Sequence, residues 1–171
     1  MRKKQRILSF FQLFIAVTLL TGFDQLTKFL AVKNLKNKAD IPLIPDVLYF
    51  QYLENRGAAF GIFQDQKIFL VVLTSLILVG VCYVLWKIPA DKKYIFLKLL
   101  CFLITAGGIG NLIDRIRLDY VIDFIYFAPI DFPVFNVADI YVSVGMVLLF
   151  IVVLFYYKDE DFNFLKWKCK E

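Results

Sequence analysis

The sequence predicts an all-α polytopic membrane protein with four transmembrane helices and a small extracytoplasmic β-sheet. Three observations lead to this fold class. The 171 residues are 60% hydrophobic with a mean hydropathy of +0.69, well above the apolar share of a soluble domain. Four apolar segments have roughly the 17–25 residues that a bilayer crossing needs. Basic residues concentrate on one side of the resulting topology. Residues 1–171 are therefore expected to form a single integral membrane domain.

The four spans are predicted as helices because lipid offers the backbone no hydrogen-bond partners. The first follows RKKQR and resembles a cleaved signal peptide, but no small-residue cleavage site comes after it, so we expect it to be retained. The third contains Lys98 near its start and Asn111 near its end. The predicted spans are residues 7–23, 68–86, 94–113 and 140–157.

The orientation follows from lysine and arginine near the helix ends. With four spans, both termini lie on one side of the membrane together with the second loop, and their flanks are basic with few acids. We therefore expect both termini in the cytoplasm and two outward loops, residues 24–67 and 114–139. The net charge of +5 is then explained by topology and by attraction to lipid headgroups, and no nucleic-acid partner is expected.

The first outward loop is too long for a simple connector. Residues 41–63 mix prolines with aromatic and branched residues and end in a glycine-rich turn signal. This pattern predicts two or three short strands with a tight bend at Arg56–Gly57. Such a platform beside the membrane could hold a peptide by edge pairing. An interfacial loop that lies on lipid is the alternative.

Composition excludes several kinds of catalysis. The chain has no histidine, which removes Ser-His and Cys-His mechanisms and the commonest transition-metal ligand. Cys82, Cys101 and Cys169 do not have metal-ligand spacing, and neither a metal nor a cofactor is expected. The three serines all lie within apolar runs. Carboxylates remain as the plausible acid–base groups.

Two carboxylates stand out in the second outward loop. Asp123 has apolar neighbours in VIDFIYF, which predicts a perturbed pKa. Asp139 has a second interpretation, because Asn136 and Asp139 match a loose capping box for the fourth helix. If the loop brings Asp123 to Asp139, the pair would share one proton, and one carboxylate could activate water while the other protonates a carbonyl oxygen.

Other polar residues near the span ends each have a structural and a functional interpretation. Asp24 and Lys28 are spaced for an i,i+4 ion pair, which usually only anchors a helix end. Asn55 is typical of a turn. Asn111 and Arg115 share one helical face, next to glycines that allow close backbone approach.

Asp114 lies off the face that Asn111 and Arg115 share. Its expected partners are therefore Arg115 or Arg117.

Four blocks in this order resemble the signature motifs of bacterial lipoprotein signal peptidase, also called signal peptidase II. The order, the spacing and the four-span layout match across almost the whole chain, apart from the charged tail. The blocks are DQLTK (24–28), NRGAAFG (55–61), GGIGNLIDRIR with DYVIDF (107–124) and FPVFNVADI (132–140).

The resemblance implies an aspartic endopeptidase of the bacterial cytoplasmic (inner) membrane with its active site at the outer face. Its partners would be membrane lipid and prolipoproteins carrying a diacylglyceryl cysteine, cut on the amino side of that cysteine, and a monomer is expected. The resemblance assigns Asp123 and Asp139 as the catalytic pair. It assigns substrate binding and orientation to Asn55, Asn111, Arg115 and Asn136, and support to Asp24, Lys28 and Gly57.

Two other classes of membrane protein are alternatives. A small transporter or channel subunit would place charges along an ion path, but here the charges lie at span ends and the halves show no matching broken helices. An intramembrane aspartyl protease with a Gly-x-Gly-Asp turn would need Asp at position 111, where this chain has Asn111.

Overall fold

The computed structural model describes residues 3–58 and 62–165. Within them, four helices are long and apolar enough to cross a membrane, and many of their apolar side chains face outward, as Phe14 and Phe155 do. Such surfaces match lipid and not water. The predicted features at residues 59–61 and 166–171, including Cys169, lie outside the described residues. The helices are α1 (Lys3–Leu35), α2 (Lys67–Lys87), α3 (Ile95–Leu118) and α4 (Val137–Phe155).

Helix α3 is the centre of the bundle, since it contacts α1, α2 and α4 and carries the most buried residues of the four spans. Glycines make this close packing possible. A Cβ on Gly107 would lie 2.4 Å from the carbonyl oxygen of Ala138 on α4, and one on Gly110 would lie 2.6 Å from Oδ2 of Asp24 on α1. Small residues at these points let the three backbones approach one another.

A four-stranded antiparallel sheet lies at one end of the bundle in the order β1-β2-β3-β4. Its central pairing joins distant parts of the chain, with Leu53 opposite Asp123 and Asn55 opposite Val121. The predicted fold class, four spanning helices with a small sheet, is confirmed. The strands are β1 (Ile41–Ile44), β2 (Leu48–Asn55), β3 (Val121–Phe127) and β4 (Phe132–Phe135).

The boundaries differ from the prediction in a way that matters for the site. Helix α1 continues to Leu35, so residues 24–35 are helical and not part of an outward loop. Its last turns carry Ala31 and Leu35, which pack against Ile122 and Phe124 of the sheet. This contact explains the extension, because the extra turns bury an apolar face that would otherwise stay exposed.

The second outward segment also differs from its prediction. Helix α3 runs to Leu118 and α4 begins at Val137, so the connection between them is shorter than residues 114–139. That connection supplies β3 and β4, and the sheet is therefore formed by both predicted loops instead of lying in the first alone. The pairing of β2 with β3 fixes the position of Asp123.

Candidate active site

The two aspartates line one cavity of about 850 Å³ between the sheet and helices α2, α3 and α4. Asp123 is on β3 and is only 1% exposed. Asp139 lies in the first turn of α4, where it also completes a capping box with Asn136. The capping interpretation and the paired-carboxylate interpretation are thus compatible, because one residue can do both.

The side-chain amides of Asn55 and Asn111 have a defined orientation. The Asn55 oxygen accepts the Gly57 N–H at 2.9 Å, and its Nδ2 donates to Asp123 Oδ2 at 2.8 Å. The Asn111 oxygen accepts from Lys28 at 2.9 Å, and its Nδ2 donates to Asp139 Oδ1 at 2.7 Å. A backbone N–H and an ammonium can only donate. The Gly57 N–H and the Lys28 ammonium therefore each hold one amide oxygen, and this turns the NH₂ group of that amide toward an aspartate.

Asn136 connects the two aspartates. Its oxygen accepts the backbone N–H of Asp139 at 2.9 Å, and its Nδ2 donates to Asp123 Oδ1 at 2.6 Å and to Asn111 Oδ1 at 3.1 Å. Its own backbone N–H donates to Asp139 Oδ2 at 3.1 Å. Both carboxyl groups thus receive two hydrogen bonds, and all three asparagines predicted from the sequence contact the pair.

The environment of Asp123 favours its protonated form. Burial raises the pKa of Asp123 to about 7, and the negative charge of Asp139 acts in the same direction. The hydrogen bonds from Asn55 and Asn136 oppose this shift without cancelling it. A carboxyl group that holds a proton near neutral pH, beside a second carboxyl group, is suited to acid–base chemistry.

A buried ion cluster lies behind the pair. Lys28, 1% exposed, contacts Asp24 Oδ2 at 3.0 Å and Asp114 Oδ2 at 2.8 Å. The predicted pair of Asp24 and Lys28 is present. The predicted partner of Asp114 was wrong, because Asp114 faces α1 and not Arg115 or Arg117.

Arg115 lines the cavity and holds the end of β2 to α3. Its Nη2 donates to the carbonyl oxygen of Gly57 at 2.9 Å. Since the N–H of Gly57 binds Asn55, this contact also steadies the amide that faces Asp123. A side chain at Gly57 would come within 2.8 Å of the carbonyl oxygen of Ile62, which explains the glycine.

Sequence reasoning missed Gln25 and the role of Asp114. Gln25 Nε2 donates to Asp114 Oδ1 at 2.9 Å, to the carbonyl oxygen of Gly110 at 3.2 Å and to Asp24 Oδ2 at 3.2 Å. A polar residue next to Asp24 inside an extended helix was the available signal. Once α1 is known to continue past residue 23, Gln25 can no longer be a loop residue.

The cavity extends from the aspartates between the helices. Where it lies between α2, α3 and the later turns of α4, its walls are mostly apolar, with two hydroxyl side chains. The lining residues of this part are Thr74, Ile77, Leu78, Ile104, Val142, Ser143 and Val144. The site thus combines a polar end with an apolar channel between the helices.

Comparison with known proteins identifies one family. A family model described as signal peptidase (SPase) II matches residues 15–155. A lipoprotein signal peptidase of Streptococcus pyogenes serotype M1 is 44% identical over 149 residues, which are 87% of this chain and 95% of the relative. A lipoprotein signal peptidase of Clostridium tetani is 46% identical over 134 residues, 77% of this chain and 85% of the relative.

Two solved structures share the fold of this chain. One described as a bacterial membrane enzyme determined by the in meso method at 2.3 Å has a TM-score of 0.75, with 29% identity and 94% of both chains covered. A second, at 1.9 Å, has a TM-score of 0.73, with 30% identity over 85% of this chain and 94% of the other. With its four apolar helices, this is a multi-pass bacterial membrane protein, and it belongs to the signal peptidase II family.

Proposed function

We propose that this protein is an aspartic endopeptidase that removes the signal peptide from diacylglyceryl-modified prolipoproteins, cutting on the amino side of the lipidated cysteine. The names of its relatives support signal-peptide cleavage from prolipoproteins. The observation that carries the aspartic mechanism is the pair of carboxyl groups, Asp123 and Asp139, in one cavity with asparagine donors on both.

The proposed reaction uses the two carboxyl groups in opposite protonation states. Asp139, as the carboxylate, takes a proton from water while the water oxygen bonds to the scissile carbonyl carbon. Asp123, whose pKa is raised to about 7, gives its proton to the carbonyl oxygen. The tetrahedral intermediate then collapses as the C–N bond breaks, the hydroxyl proton returns to Asp123, and Asp139 donates its proton to the leaving amine. The pair ends in its starting state.

The neighbouring polar residues act on the pair and on the substrate backbone in this proposal. Asn55, Asn111 and Asn136 orient the carboxyl groups through the hydrogen bonds described above. Arg115 lines the cavity and holds the Gly57 carbonyl, so it shapes the place where the peptide lies. Asp24, Lys28 and Gly57 keep these groups in position.

The apolar channel suits a lipid-modified substrate. Because its walls lie between the spanning helices, acyl chains could stay in the bilayer while the peptide bond meets the aspartates. The basic flanks support an orientation with both termini in the cytoplasm and the catalytic pair at the outer face of the membrane. A monomer is sufficient, since one chain supplies every group of the reaction.

The test is cleavage of a defined prolipoprotein by the purified protein in detergent. A diacylated substrate should shift on a gel, and mass spectrometry should place the new amino terminus at the lipidated cysteine. The same substrate without the lipid is the control and should be cut far more slowly. Equal cleavage of both substrates, or cleavage at another bond, would contradict the proposed specificity.

A further inference from the structure

Two carboxylates behind the candidate pair each hold the backbone just before one of its members. Asp24 Oδ1 accepts the N–H of Ala138, which precedes Asp139, at 2.9 Å. Asp114 Oδ2 accepts the N–H of Ile122, which precedes Asp123, at 3.3 Å. One carboxylate lies on α1 and the other on α3, whereas the two held backbones belong to α4 and β3.

Lys28 joins these two carboxylates. Its ammonium group has three N–H donors, and three acceptors surround it: Asp24 and Asp114 at 3.0 and 2.8 Å, and Asn111 Oδ1 at 2.9 Å. Gln25 adds a second link, because its NH₂ group donates to the other oxygen of Asp114 and to Asp24. Every donor of the ammonium is used, so the geometry leaves little freedom.

Burial makes this cluster rigid. Asp24 is 0% exposed, Lys28 is 1% exposed and Asp114 is 2% exposed. A buried charge that loses its partner is strongly unfavourable, so the three groups cannot separate without a large cost. A Cβ on Gly110 would meet Asp24 Oδ2 at 2.6 Å, which shows how closely the helices pack around the cluster.

We propose that Asp24, Lys28 and Asp114, with Gln25, form a clamp that fixes the separation of Asp123 and Asp139. The clamp residues are positioning residues, since they act on the aspartates through backbone and amide hydrogen bonds. This inference rests on the proposed aspartic function. The clamp gives Asp114 a positioning role, which its sequence position and its charge alone do not predict.

The separation of two carboxyl groups controls how strongly their titrations are coupled. Close groups share one proton over a wide pH range, and the range narrows as they move apart. The charged side chains around the pair are on α1, β2 and α3, and any change in their charge moves both limbs of the pH profile in the same direction. The position of the profile therefore reports these charges, whereas its width reports mainly the separation. The charged side chains around the pair are Asp24, Lys28, Glu54, Asp114 and Arg115.

The test is the pH profile of cleavage by Asp114→Asn. Both oxygens of Asp114 accept hydrogen bonds, so the asparagine NH₂ must face another donor and the clamp loosens. We expect kcat to fall about 100-fold, the loss that a displacement of about 1 Å can cause, with KM changed less than about twofold. The pH profile, which is bell-shaped because one carboxyl group must be ionised and the other protonated, should also become narrower.

Asp119→Asn is the matched control. Asp119 follows α3 closely, lies at positive φ, where asparagine is well tolerated, and pairs with Lys67 at the surface. Its activity and profile width should match those of the wild type. Gln25→Leu is a second clamp variant that leaves the three charges in place, and it should give a smaller loss, about 10-fold, with a smaller narrowing of the pH profile.

Three outcomes would overturn the clamp. The first is a smaller amount of folded protein with an unchanged kcat per folded molecule and an unchanged profile width, which would indicate a purely structural role. Loss of a complete limb of the profile would make Asp114 a titrating catalytic group. If Asp114→Asn does not fold, a wild-type profile in Gln25→Leu decides against the clamp. Asp123→Asn is measured in parallel, since activity in that variant would refute the aspartic function itself and not the clamp.

Discussion

Replacing Gly110 by alanine is predicted to damage both stability and catalysis. The new Cβ would lie 2.6 Å from Asp24 Oδ2 and 3.2 Å from the Cβ of Ala138. Ordinary van der Waals contact begins at about 3.4 Å, so α3 and α1 must separate locally by about 0.8 Å. Neither neighbour can move freely, because Asp24 holds Lys28 and the N–H of Ala138.

The magnitude follows from this geometry. Overpacking of this kind typically costs about 1–3 kcal/mol, and the melting temperature should drop by about 2–4 °C for each kcal/mol. The displacement also moves the backbone before Asp139, because Asp24 holds the N–H of Ala138. A shift of about 1 Å there can lower the rate of cleavage about 100-fold. Thermal unfolding in detergent and cleavage of a diacylated prolipoprotein measure the two effects separately.

Gly80→Ala is the control for this substitution. Gly80 lies on α2, and a Cβ there meets no atom within 4 Å. Alanine is favoured over glycine in a helix by about 1 kcal/mol, so this variant should be as stable as the wild type or more stable, and fully active. Equal behaviour of Gly110→Ala and Gly80→Ala would refute the close packing of α1, α3 and α4 behind the site.

Three further predictions concern pH, topology and mechanism. Because burial raises the pKa of Asp123 to about 7, the folded protein binds this proton more tightly than the unfolded chain does. The contribution to stability is thus complete below about pH 4 and is lost as the pH rises to about 7, and Asp123→Asn should flatten that slope in thermal scans. Lys38→Cys in a cysteine-free background should react with an impermeant thiol reagent in wall-stripped cells, whereas Asp91→Cys should not; the reverse pattern would contradict the orientation. Cleavage should survive chelators, and the triple change of Cys82, Cys101 and Cys169 to Ala should remain active, whereas activity restored by added zinc would exclude an aspartic mechanism.

The spanning helices could be predicted because their signal is local. Each is an apolar run of sufficient length, and composition alone identifies such runs. The Asp24–Lys28 pair and the Asn136–Asp139 capping box are also local, and both are present in the structure. What these patterns could not show is that α1 continues to Leu35, because the sheet that covers its last turns is formed by distant segments.

Non-local packing also explains the remaining differences. The pairing of β2 with β3 joins residues about 70 positions apart, and the pattern within one strand does not identify which distant strand pairs with it. Asp114 was expected to pair with an arginine of its own helix, but Gly110 brings α3 so close to α1 that Lys28 becomes its partner. Glycine spacing indicated a close contact without revealing which helix would supply it.

The central claim is that Asp123 and Asp139 together carry the reaction, and single-turnover cleavage by their asparagine variants tests it most directly. Asp123→Asn and Asp139→Asn should each lower the rate by about 10²–10⁴-fold or more, and the double variant should be little worse than either because the two groups act as a unit. Asp131→Asn, at an exposed turn with positive φ, is the control and should cleave normally. A rate near that of the wild type in either dyad variant, at equal amounts of folded protein, would contradict the claim.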